Sequence, residues 1–158
     1  NYKNPLIAAV DGIAIGGGAT ILLHFDAVFI SPNAKVKYPF SDLGLAPEVG
    51  SSLLLFQSLG YQKAAQVLFG AEWISGKEYF DFGMAKYLGE DYYDKAIDYA
   101  HQLNEQSLAS IIETKAILKS FNSDALAAAR DLETKAMKRL YGSEDNIKAI
   151  EKFFSRKG

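Results

Sequence analysis

The chain predicts an α/β fold, and three observations carry that prediction. An unbroken apolar run, Leu6-Ile7-Ala8-Ala9-Val10, passes through an Asp11-Gly12 turn pair into Ala14-Ile15-Gly16-Gly17-Gly18-Ala19-Thr20 and a further apolar stretch, Ile21-Leu22-Leu23. That order reads strand, turn, glycine loop, short helix. A second β-rich run, Asp26-Ala27-Val28-Phe29-Ile30-Ser31, is again followed by strand, loop and helix signals, so the unit recurs. From Tyr92 onward the apolar residues fall at helical spacing alone.

Each element has its own warrant. Residues 6–10 are expected to be a fully buried strand, because apolar residues run without alternation. Residues 19–25 read as a short helix ending near His24. The strand at 26–31 closes in the turn Ser31-Pro32-Asn33. Lys35-Val36-Lys37-Tyr38 alternates polar and apolar, the mark of a half-exposed strand. Residues 39–47, bounded by Pro39 and Pro47, form a loop. Glu48 then stands just ahead of a helix over about 51–69, which Gly60 divides in two. Ser75-Gly76-Lys77-Glu78 is a capping box for a helix over 76–82, with Gly83 as its C-terminal cap. Met84-Ala85-Lys86-Tyr87-Leu88 reads as a short edge strand.

The rest is helical: Ala96, Ala100 and Leu103 recur at helical spacing, as do Ile111, Ile112 and Lys115-Ala116. Ser123 caps a helix carrying Leu126, Ala129, Leu132, Ala136, Met137 and Leu140. Gly142-Ser143 stops it and starts a last helix with Ile147, Ile150, Phe153 and Phe154. The chain thus divides into an α/β part at 1–90 and a helical part at 91–158, whose apolar stripes suit packing or an oligomer interface.

Composition narrows the function. At 158 residues the chain suits one domain with a real core. It is 49% hydrophobic and 23% charged, ordinary for a soluble globular protein. A net charge of -2 gives no electrostatic case for nucleic acid. The lack of cysteine excludes disulfides and thiolate metal sites and fits a reducing compartment. No apolar run reaches the ~18 residues of a membrane span. Asn1-Tyr2-Lys3-Asn4-Pro5 leads straight into a core strand, with no secretory signal, a start expected of a fragment.

The glycine loop is the first candidate site. Three glycines remove every Cβ from one stretch of backbone, so a ligand can approach the peptide N–H groups. A helix starting there leaves its first N–H groups without internal partners, and its dipole adds positive potential. Such a place suits a phosphate or an oxygen that gains charge during a reaction. The same glycines also serve close helix–strand packing. Neither a P-loop nor a GxGxxG fingerprint is present.

The blocks Pro5 to Ala19, Phe25-Asp26-Ala27-Val28-Phe29, Leu43-Gly44-Leu45-Ala46-Pro47-Glu48 and Ile74-Ser75-Gly76-Lys77-Glu78 through Gly83-Met84-Ala85 stand in an order and spacing that resembles the crotonase (enoyl-CoA hydratase/isomerase) superfamily. The resemblance runs over about residues 4–90. It implies a spiral of ββα turns with a C-terminal helical region that builds trimers, often paired into hexamers. It also implies acyl-CoA as substrate and a thioester enolate held by two backbone N–H groups. One of these donors maps to Gly17, flanked by Gly16 and Gly18. The other belongs to an earlier strand–loop unit, so the N-terminal part of the fold is expected to be absent here.

The resemblance also narrows the reaction. Family hydratases place glutamates at positions that here hold Thr20 and Phe40, neither of which moves a proton at neutral pH. What the sequence offers instead is Glu48, in Ala46-Pro47-Glu48-Val49-Gly50-Ser51-Ser52, which is similar to the segment carrying the base of Δ3,Δ2-enoyl-CoA isomerases. One carboxylate suffices to take a proton from C2 of a 3-enoyl thioester and return it at C4. An apolar wall strengthens a carboxylate as a base, since burial disfavours its charged form. Phe40, Leu43, Leu45 and Leu53 are the expected wall residues. Glu48 also fits a helix N-terminal acid that only complements the dipole.

His24 and His101 lack a partner motif and read as structural. Asp26 reads as a residue pairing with backbone, and Asp42 as a loop acid or a second acid near the pocket. Ser51 and Ser52 read as helix caps, Trp73 and the tyrosines as packing. Lys152, Arg156 and Lys157 suit either CoA phosphates or a solvated tail.

The leading expectation is an enoyl-CoA isomerase of fatty-acid β-oxidation with no metal and no cofactor, coenzyme A being part of the substrate. Hydration, thioester hydrolysis and a non-catalytic acyl-CoA-binding module are the alternatives. The chain ends Ser155-Arg156-Lys157-Gly158 rather than in a peroxisomal signal, so a bacterial cytoplasm is expected.

Overall fold

A computed structural model of the chain describes residues 2–155. The strands β1 (Ile7–Val10) and β2 (Ile13–Ile15) are followed by helix α1 (Gly17–Leu22). Then β3 (Ala27–Ile30) and β4 (Lys35–Lys37) lead through a 3-10 turn (Ser41–Leu43) to α2 (Ser51–Gly70). β1 pairs in parallel with β3, and β2 in parallel with β4. Each ββα turn therefore lays one strand on each of two sheets before its helix. β5 (Ile74–Ser75) joins the second sheet beside β4, antiparallel to it. α3 (Gly76–Asp81) follows, and β6 (Tyr87–Leu88) closes the first sheet beside β3.

This is the ββα spiral that the resemblance implied, with local differences. β1 is not buried throughout, since Ala9 is exposed. Residues 13–15 form a strand rather than part of the glycine loop, with Ile13 and Ile15 exposed. α1 ends at Leu22, three residues early, and the edge strand at 84–88 contracts to Tyr87–Leu88. Gly60 does break α2, at φ 73° and ψ 166°. Ser75 caps α3 in a full capping box with Glu78.

Val28, Ile30, Val36, Tyr38, Leu55 and Tyr79 form the centre of the main core, between the sheets and α1–α3. Four helices complete the chain: α4 (Tyr92–Asn104), α5 (Leu108–Ser120), α6 (Ser123–Leu140) and α7 (Glu144–Ser155). α4 lies on the outer face of β3, where Ala96 meets Ala27 and Phe29. α6 is capped by Asn122 rather than Ser123, which is already helical.

The last three helices are attached through polar residues. In each, the buried residue among those described is polar: Lys115, Glu133 and Asn146. Lys115 Nζ pairs with Asp26 at 2.6 Å and donates to the Asn4 carbonyl at 2.7 Å. Large apolar residues such as Phe121, Leu132, Tyr141 and Phe154 remain exposed on this chain. No helix among the described residues is long and apolar enough to cross a membrane, and no group of three metal-binding side chains occurs among them.

Candidate active site

The glycine loop takes its shape from β2. Gly16 N–H donates to the Lys37 carbonyl at 3.0 Å, continuing the β2–β4 ladder. Gly16 then turns at φ 56° and ψ -122°, a conformation that only glycine adopts at little cost, and caps α1. Gly17 and Gly18 are the first two helical residues, so their N–H groups have no acceptor within the helix. A Cβ on Gly18 would meet nothing within 4 Å, which leaves this face open.

Glu48 reaches the neighbouring residue, Gly17. Its Oε1 is 3.6 Å from the point a Cβ on Gly17 would occupy. The carboxylate is half-buried and begins a tight turn that Ser51 N–H closes on the Glu48 carbonyl at 3.0 Å. Both central residues have positive φ, Val49 at 58° and Gly50 at 83°, as in a type I′ turn. A β-branched valine in that region is strained and needs outside support. Two side chains supply it. The ring Nε2–H of His24 donates to the Val49 carbonyl at 2.9 Å, the carbonyl being able only to accept. The buried Glu133 carboxylate accepts from Gly50 N–H at 2.6 Å, Ser52 N–H at 2.9 Å and Ser52 Oγ–H at 2.5 Å.

A cavity of about 550 Å³ lies beside the loop, lined by Ile15, Gly16, Leu43, Trp73, Lys37 and Lys152 among others. Lys37 pairs with Asp42 at 2.5 Å and sits 5.6 Å from the centre of the Trp73 ring. Asn146 of α7 donates from Nδ2 to the Leu43 carbonyl at 2.6 Å, which fixes this wall.

The expected wall residues separate on inspection. Leu43 lines this cavity. Phe40 is 5% exposed within the main core, so it supports the loop from beneath. Leu45 is half-buried, its N–H bonded to the Phe40 carbonyl at 2.8 Å, and Leu53 is half-buried on α2. Thr20 is 1% exposed, and its Oγ1 has no hydrogen-bond partner among the described residues. Asp26 accepts from Leu6 N–H at 2.7 Å, the backbone pairing expected of it. Arg156 and Lys157 lie outside the described residues. His24 and Glu133 are the residues that the sequence did not mark for this site. A lone histidine and a glutamate in mid-helix carry no local signal.

Fold and site together define an α/β protein built on a ββα spiral, with a carboxylate set over a glycine-loop helix start. The model of the enoyl-CoA hydratase/isomerase family matches residues 1–158, and the chain belongs to that family, the crotonases. It is 29% identical over 99% of its length to rat enoyl-CoA delta isomerase 2, covering 41% of that protein. It is 28% identical over 99% of its length to 2,3-dehydroadipyl-CoA hydratase of Escherichia coli, covering 62% of it. The crystal structure of an enoyl-CoA hydratase/isomerase from Pseudoalteromonas atlantica superposes with a TM-score of 0.92 at 27% identity, over 98% of this chain and 63% of that one. The chain thus spans less than two thirds of the length of these relatives, which include both an isomerase and a hydratase.

Proposed function

We propose that these residues carry the base and one oxyanion donor of an enoyl-CoA isomerase. One relation supports the reading above others: the Glu48 carboxylate stands 3.6 Å from the Cβ point of Gly17, the first residue of the loop helix. A 3-enoyl thioester seated with its carbonyl oxygen on Gly17 N–H brings C2 under Glu48. The C2–H bond breaks and its proton passes to the carboxylate. The electrons spread over C1 to C4 as a dienolate, whose oxygen the N–H stabilises. Glu48 then returns the proton at C4, leaving the double bond between C2 and C3. No redox change occurs, and the carboxylate ends as it began. No metal or redox cofactor takes part, and coenzyme A serves as the handle.

Hydration across two carboxylates has less support, because Thr20 and Phe40 occupy the positions the second chemistry needs and both are buried. Assembly into trimers or hexamers through α5–α7 fits the exposed apolar residues there. The deciding experiment follows trans-3-hexenoyl-CoA isomerisation beside crotonyl-CoA hydration, using the intact native polypeptide and its Glu48→Gln variant. The expected result is fast isomerisation, slow hydration, and a loss of about 100- to 10,000-fold on substitution. Unchanged isomerisation in Glu48→Gln removes Glu48 from the mechanism. Fast hydration with slow isomerisation overturns the isomerase reading.

A further inference from the structure

We infer that His24 is a positioning residue for Glu48, acting through the Val49 carbonyl. The inference rests on the isomerase reading above. Its observations are geometric. Glu48 projects from a turn whose next residue, Val49, is held at φ 58° although β-branched. Left to itself, such a turn relaxes and swings the carboxylate away from the loop. Glu133 holds the N–H side of the Val49–Gly50 peptide and, beyond it, Ser52 N–H. His24 holds the carbonyl side of that same peptide, the second one after Glu48, through the 2.9 Å bond to Val49.

The placement of His24 adds the second argument. It follows α1, the six-residue helix whose first residue is Gly17. Its own N–H bonds to the Ile21 carbonyl at 3.0 Å, so it continues the helix end without slack. One short rigid element thus presents the N–H donor at its start and grips the turn of the base at its finish. The separation between base and donor is thereby tied to the length of that helix, alongside the hold of Glu133 on the same turn. Proton transfer at carbon is sensitive to such distances, and a shift of about 1 Å costs about 100-fold in rate.

The test measures kcat, KM and melting temperature on trans-3-hexenoyl-CoA for the intact native polypeptide, four single variants and one double variant. His24→Leu removes the donor. His24→Asn keeps a polar side chain that stops short of Val49, and replaces His24→Leu should that variant not fold. His24→Gln restores an N–H at the reach of Nε2. The fourth is Glu48→Gln, alone and combined with His24→Leu. The expected result is a kcat lowered about 10- to 100-fold in His24→Leu with KM within about 2-fold. His24→Gln recovers most of kcat, and His24→Leu adds nothing further in the Glu48→Gln background.

An unchanged kcat in His24→Leu overturns the inference while leaving the isomerase reading intact. So does a His24→Gln variant as slow as His24→Leu, or an additive loss in the double variant. Unchanged activity in Glu48→Gln fells the isomerase reading, and the His24 inference with it. Nitrogen-15 spectra give a readout independent of turnover: His24 is expected to carry its proton on Nε2, and a neutral ring protonated on Nδ1 alone overturns the inference.

Discussion

Glu48 Oε1 lies 3.6 Å from where a Cβ on Gly17 would stand, and among the described residues nothing else outside its chain neighbours and the backbone of its own helix comes within 4 Å of that point. Gly17 is not in the left-handed region, unlike Gly16, so alanine suits its backbone. Conformation therefore does not demand glycine here, and a Cβ would make only ordinary contact with Glu48. In the proposed isomerase a substrate carbon needs that space to meet the carboxylate, since reacting atoms sit about 3–3.5 Å apart. Gly17→Ala is expected to fold with a melting temperature within a few degrees of the parent and to lose at least about 100-fold in kcat. Calorimetry beside the isomerase assay checks both halves. Equal losses in stability and rate would mean that Gly17 serves packing alone.

Trp73 is the one tryptophan of the chain, and it borders the 550 Å³ cavity with Lys37 near its ring. An acyl-CoA entering beside Gly16 displaces water from that ring. Its fluorescence is expected to shift on titration with octanoyl-CoA and to stay constant with octanoic acid alone at equal concentration. Lys37→Ala should weaken the response, because Lys37 lies on the rim. A constant signal with both ligands would place the acyl chain elsewhere.

The glycine loop was legible as an open stretch of backbone at a helix start, because three glycines leave no Cβ there. Glu48 was marked by the resemblance of its segment, since a glutamate ahead of a helix fits a dipole-complementing acid equally well. The ββα repeat was legible for a similar reason, since the apolar runs and turn residues of β1, β3 and β4 are local. β2 was not, because three residues with two isoleucines exposed have neither the length nor the alternation of a half-buried strand. His24 and Glu133 were illegible because their meaning lies in contacts 25 and 83 residues away. The polar anchors of α5–α7 were illegible too. The apolar stripes of these helices were read as suited to packing or an oligomer interface, and nothing local marked Lys115, Glu133 and Asn146 as their buried residues.

Tyr38 and Tyr79 are both buried in the main core beneath the glycine-loop helix, where Tyr38 OH donates to the Ala19 carbonyl at 3.4 Å. Burial pushes both phenols up, Tyr38 far above its ordinary value and Tyr79 to about 12. In the unfolded chain both ionise near about 10. The folded state thus holds protons that the unfolded state releases, and stability falls as pH rises from about 10 through 12. Alkaline titration by tyrosinate absorbance is expected to leave these two protonated until the chain unfolds. Tyr38→Phe should flatten the loss of stability over that range. Smooth titration of every tyrosine in a folded chain would contradict the burial argument.

Glu133 tests whether a polar anchor holds a helix or merely accompanies it. It is 6% exposed and accepts three hydrogen bonds at the start of α2, so it joins α6 to the turn behind Glu48. Truncation strands the Gly50 and Ser52 N–H groups in a buried place, and each unsatisfied donor costs about 1–3 kcal/mol. Glu133→Ala is therefore expected to lower stability by about 3 kcal/mol. Glu133→Gln keeps one accepting oxygen but turns an NH2 toward a backbone donor, so it should fall between. Hydrogen exchange locates the effect: Gly50 and Ser52 amides lose protection first, together with α6, while β1 and β3 keep theirs. If exchange rises evenly over the whole chain, Glu133 is part of the general core and the junction of α2 with α6 has no anchor of its own.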